Sequence, residues 1–153
     1  MKISLATKAA IVAKLNQLID EQIALLETSI ADAKKARDLE TKSSAGDKFE
    51  TSRARVQSEI DRYATQLNKT WQLKNDLQKI DISKKYRQVE LGSLIITTNG
   101  NYFIGIGYGK IAIQENSYYA ISLASPVGRL FYQKAVGDII KHINNTYKIL
   151  ELI

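Results

Sequence analysis

The chain contains no cysteine. That excludes disulfides, thiolate metal sites and any thiol nucleophile. A single histidine, His142, leaves no cluster for zinc and no second partner for a serine triad. Its surroundings read as a half-exposed position on a strand. Proline occurs once, at Pro126, so nothing of that kind interrupts the N-terminal half. No apolar run approaches the roughly 20 residues that cross a bilayer. The segment Met1–Thr7 lacks a long apolar core, and Lys8 and Lys14 follow closely, so no signal peptide is expected. A cytoplasmic protein without a membrane span is the natural expectation. Enzymes that work by covalent or histidine base catalysis are poor candidates.

What is present points to a folded chain. Of 153 residues, 44% are hydrophobic and 25% charged, enough of the first for a core and too few of the second for a disordered chain. The net charge of +6 suits a nucleic-acid or anionic protein partner without requiring either.

Two periods divide the sequence. From Ala9 to Asp38 the apolar residues Ile11, Leu15, Ile19, Ile23, Leu26, Ile30 and Ala33 recur in steps of three and four, which makes one stripe on a helix. Thr7 is the expected N-cap. The pattern loosens at Thr41–Gly46 and resumes with Phe49, Val56, Ile60, Tyr63, Leu67, Trp71, Leu77 and Ile80. Two such helices joined by a short turn fold back as an antiparallel coiled-coil hairpin, with Tyr63 and Trp71 on its seam. At 1.5 Å per residue its stalk is on the order of 45 Å long.

After Ile82 the period changes. Ser83–Gln88 reads as a polar, basic linker. Leu94–Thr98 and Tyr102–Ile104 read as strands around an Asn99-Gly100 turn. Further strands are expected at 110–113, 118–123, 139–143 and 147–152. Residues 126–133 read as a short helix with Ser125 as N-cap and Pro126 at its first position. The expected fold is α+β: a coiled-coil hairpin over 1–82 with an acidic tip at 46–50, then a compact antiparallel β domain with one short helix over 83–153.

The tip holds the most distinctive chemistry. Asp47 reads as an N-cap and Glu50 as the third helical position, a capping-box pattern. Three residues apart at a helix start, the two carboxylates can also face one way and give Mg²⁺ two hard oxygen ligands. Alone they would hold it weakly, so the remaining ligands must come from elsewhere. Lys48, Arg53, Arg55 and Arg62 on the second helix, with Lys34, Lys35 and Arg37 on the first, can track phosphates. They can equally be the solvated face of a coiled coil.

The motifs Gly46-Asp47 with Glu50, then Ile121-Ser122, Ser125-Pro126-Val127-Gly128, Lys134 and Gly137-Asp138 in that order, resemble those of the Gre family of bacterial transcript cleavage factors. The resemblance spans nearly the whole chain. It implies a C-terminal domain of FKBP-like fold that binds bacterial RNA polymerase. It also implies a coiled coil that enters the enzyme's secondary channel. There Asp47 and Glu50 would act in trans, sharing a Mg²⁺ with the polymerase as it hydrolyses the 3′ end of backtracked RNA. The protein would thus be an accessory factor, monomeric and without a tightly bound cofactor. Lys48 with Arg53 and Arg55 would contact RNA or polymerase.

Lys48-Phe49 and Thr51-Ser52-Arg53-Ala54 depart from the family pattern, which has Leu-Ser and Asn-Ala-Glu-Tyr there. They point to an alternative: a Gre-like regulator that occupies the channel without efficient cleavage. A generic coiled-coil binding module or a prolyl isomerase is a third reading, the latter resting on fold analogy alone.

Overall fold

Alternation between two periods decides the architecture. A computed structural model describes the backbone of residues 3–42 and 46–153, and their side chains except at 40–42 and 46–49. The elements are α1 (Leu5–Lys42), α2 (Gly46–Gln78), β1 (Leu94–Thr97), β2 (Gly100–Ile104), β3 (Gly109–Ile113), β4 (Asn116–Ile121), α3 (Pro126–Phe131), β5 (Ile139–His142) and β6 (Asn145–Leu152). The fold is α+β, a long N-terminal helical hairpin followed by a six-stranded sheet with one short helix. Among the described residues no helix is long and apolar enough to cross a membrane.

The chain divides into two compact units, Leu18–Lys74 and Met1–Gln17 together with Asn75–Ile153. In the first unit, Ile19, Ile23 and Leu26 of α1 and Ile60 and Thr70 of α2 are buried, with Val56, Tyr63 and Leu67 half-buried. Lys74 of α2 pairs with Asp20 of α1, and Arg37 Nη1 donates to Gln57 Oε1 at 2.9 Å. Trp71 is not on the seam: it is 41% exposed. The step that follows Leu67 is three residues, to Thr70, whose hydroxyl donates to the Gln66 carbonyl at 2.8 Å. That step keeps the heptad spacing of the seam and leaves the indole on the flank, 5.5 Å from Lys74 Nζ.

In the second unit α1 begins at Leu5, ahead of the expected cap. Thr7 lies in the first turn, where its Oγ1 accepts the Ser4 N–H at 3.1 Å. The sheet order is β3-β4-β2-β1-β6-β5. Every neighbouring pair is antiparallel except β2 and β4, which run parallel with Tyr102 beside Tyr119. The sheet is therefore mixed rather than purely antiparallel. β3 turns back as a hairpin onto β4, and β4 then lies along β2 in the same direction. The β1–β2 turn is Thr98-Asn99, one residue earlier than expected. Gly100 opens β2 at φ 107°, a left-handed conformation that glycine adopts without steric cost.

One sheet face carries Ile95, Ile104, Ile140, Tyr147 and Ile149, packed with Val89 and Phe131 of α3. Tyr102 links the strands to this cluster: its ring stacks on Tyr119 at 5.5 Å and meets Tyr147 edge-on at 5.8 Å. Burial, and then Tyr147, raise the Tyr102 phenol well above its ordinary value. On the opposite face Phe103 and Tyr118 are buried. Tyr118 lines a cavity of about 260 Å³ together with Ile3, Ala6, Thr7 and Ala10 at the start of α1.

The segment expected as a polar linker, Ser83–Gln88, contains the buried Tyr86, and the residue just after it is buried too. Val89 is fully buried; its N–H donates to Lys134 O at 2.7 Å and its carbonyl accepts from Gln133 N at 2.9 Å. Tyr86 is buried and donates to Leu91 O at 2.7 Å. The sequence hides both because they stand singly among charged residues.

Lys8 is the anomaly of this unit. It is 0% exposed, and its Nζ has no hydrogen-bond partner among the described residues. The ammonium sits 4.5 Å from the centre of the Tyr86 ring, a cation–π contact that offsets part of the desolvation. Burial brings its pKa down to about 8, against a smaller opposing pull from Asp81.

Candidate functional site

Residues 43–45 of the expected turn lie outside the described residues, as do the side chains of Asp47, Lys48 and Phe49. The backbone of α2 includes Gly46, so Asp47 stands inside the helix, not at its cap. Asp47 and Glu50 are thus three residues apart on one helix, a spacing that places them on neighbouring positions of its surface. Glu50 is exposed.

Two monodentate carboxylates supply at most two of the six oxygens around Mg²⁺. Among the described residues no group of three or more His, Asp or Glu side chains is arranged to hold a metal. The two carboxylates do not make a self-contained cage.

Arg53 and Arg55 follow on the same helix and are both exposed, as are Lys34 and Lys35 on α1. Arg37 is tied to Gln57 and lies 3.5 Å from Asp38. Arg62 lies 5.8 Å from the Tyr63 ring. The Tyr63 hydroxyl donates to Glu59 at 2.9 Å, and that bond raises the phenol's pKa. The cations available to an anionic partner on this hairpin therefore include Arg53 and Arg55; Arg53, three residues on, neighbours Glu50 on the helix surface, whereas Arg55, five residues on, lies toward the other side of the helix.

The C-terminal motif residues are explained by local geometry. Ser125 caps α3: its Oγ accepts the Gly128 N–H at 3.0 Å and donates to Ser122 O at 2.7 Å. Pro126 occupies the first turn, where a missing N–H costs nothing. A Cβ on Gly128 would lie 2.1 Å from Ser122 O and 2.8 Å from Ser125 Oγ. Gly128→Ala should therefore destabilise the protein by about 3 kcal/mol, read as a lower urea midpoint at unchanged slope. A midpoint equal to the parent's would show that the corner relaxes freely. Gly137 takes φ 95°, and Asp138 Oδ2 accepts the Ala135 N–H at 2.8 Å, closing the turn into β5.

Neither a family model nor a curated protein matches this chain. Its functional reading accordingly rests on the motifs and on the chemistry of its surface.

One feature without a sequence signature is a cleft of about 360 Å³ whose walls include Lys79, Asp81, Lys84, Tyr86, Leu91 and Tyr132. Lys84 pairs with Glu90 across 3.5 Å. The hydroxyl and N–H of Ser83 hold the Asp81 carboxyl below its ordinary pKa. The charges at its rim come from an irregular segment, where no periodicity announces them.

Proposed function

We propose that this protein is a Gre-like transcription elongation factor. It binds bacterial RNA polymerase, places the turn of its helical hairpin in the secondary channel, and stimulates cleavage of backtracked RNA. The observation that carries the reading is the placement of Gly46-Asp47 and Glu50 where α2 begins, with Glu50 exposed. Asp47 and Glu50 would complete the ligand shell of a Mg²⁺ held mainly by the polymerase. When bound, that ion stabilises charge on the phosphodiester and activates a water. Asp47 and Glu50 would orient the attacking water by accepting its hydrogen bonds, and Arg53, next to Glu50 on the helix surface, would pair with phosphate. The motif residues Ser125, Pro126, Gly128, Gly137 and Asp138 shape the domain that docks on the enzyme.

A photoreactive side chain substituted at Lys48 tests the placement. It should label the polymerase channel or the RNA 3′ end in stalled complexes. Labelling only from positions on the β domain would contradict it.

A second reading is favoured by Arg53, which neighbours Glu50 on the helix surface. With Arg53 and Arg55 exposed on the same helix, the local field opposes recruitment of a further cation. On that reading the protein occupies the channel and excludes cleavage factors, with no acceleration of cleavage at any Mg²⁺ concentration.

A further inference from the structure

The β5–β6 hairpin carries a residue that neither stability nor solubility favours. Ile143 occupies the two-residue turn closed by the His142–Asn145 pair. It adopts φ 55° and is 85% exposed. A left-handed conformation costs an L-residue roughly 1–2 kcal/mol, and turns of this kind favour Asn, Asp or Gly. Leaving the side chain in water returns nothing for that strain. The β3–β4 turn has a polar residue, Gln114, at the same φ of 55°, and the β1–β2 connection uses Gly100. The pairings put all three hairpin turns at one end of the sheet. The Ser125–Gly128 corner, which follows the far end of β4, lies at the other.

Along the β5–β6 hairpin the charges nearest Ile143 have one sign. Between Asp138 and Glu151 the charged residues are Lys141 and Lys148, both exposed. Ile139, registered opposite Lys148, adds a second exposed apolar side chain on that face. The Asp138 carboxylate is turned to the Ala135 N–H. Strain held at an exposed apolar tip indicates a role met outside the chain, and the basic flank specifies the chemistry of what meets it.

We propose that Ile143 is an anchor that inserts into an apolar pocket on the partner protein, and that Lys141 and Lys148 pair with carboxylates at the pocket's rim. The partner is the RNA polymerase of the reading above, on which this inference rests. The hairpin end is then a contact separate from the hairpin tip of α1 and α2.

Ile143→Asn separates anchoring from folding, because the two predict opposite signs. Asn suits the left-handed turn, so the urea midpoint should hold or rise. Affinity for purified polymerase core enzyme should fall about 10- to 30-fold, the usual loss for a truncated anchor. Lys141→Glu with Lys148→Glu should weaken binding further, most at low salt. An Ile143→Asn protein that binds as tightly as the parent overturns the anchor and leaves the polymerase reading intact. A parent protein that does not bind the core enzyme overturns both.

Discussion

Replacing Asp47 or Glu50 with Ala should lower stimulated RNA cleavage in stalled polymerase complexes on the order of a hundredfold or more, while polymerase affinity changes little. The magnitude is that of removing one positioned group that stabilises developing charge. The specificity of the loss follows from placement. Glu50 is exposed on α2, and neither acid lies in the unit that carries the sheet. If binding runs through the sheet-bearing unit, as proposed, it should be insensitive to them. Asp47→Asn and Glu50→Gln keep shape and remove charge, so they should be nearly as defective as the alanine variants. A parallel fall in binding and cleavage would mark the acids as helix-stabilising residues, since acids in the first turn favour a helix by themselves.

Lys8→Met should raise stability near pH 7 by about 2–3 kcal/mol, from removal of a buried, unpartnered ammonium. Met is unbranched and fills a lysine-shaped space. The same lysine makes the parent's stability depend on pH. Its folded pKa of about 8 lies below the ordinary 10.5, so between those values the unfolded chain binds more protons than the folded one. Stability therefore rises with pH across that window and is lost as pH falls through about 8. Tyr86, Tyr102 and Tyr118 are held above their ordinary value of 10.0, chiefly by burial. They reverse the trend once the unfolded tyrosines ionise. Urea midpoints from pH 7 to 9, below the onset of tyrosine ionisation, should climb for the parent and stay flat for Lys8→Met. A flat parent profile would mean that the ammonium reaches water or a partner.

The elements legible in the sequence were those with a sustained period. The stripe from Ile11 to Leu26 forms the buried side of α1. The alternation in the second half gives strands close to those expected, and Ser125-Pro126 opens α3 with the predicted cap. What the period could not convey was isolated burial. Tyr86 and Val89 stand alone among charges, and Lys8 is polar by composition yet enclosed by tertiary packing. Trp71 shows the opposite error. Counting four residues from Leu67 reaches an indole, but the hairpin's heptad takes Thr70 instead. The parallel β2–β4 pair was also hidden, because local pattern reports strands and not which of them become neighbours. At the candidate site, the sequence named both acids from their spacing and order. The structure adds that Glu50, its helix neighbour Arg53 and, further round α2, Arg55 are all exposed.

On the proposed function, the hairpin supplies part of a metal site which the polymerase completes. The most direct measurement is the rate of transcript shortening in stalled complexes, with and without saturating wild-type protein, across Mg²⁺ concentrations. The protein should raise the maximal rate and lower the half-maximal Mg²⁺ concentration. Saturated complexes whose rate and Mg²⁺ dependence match those of polymerase alone would contradict the proposal.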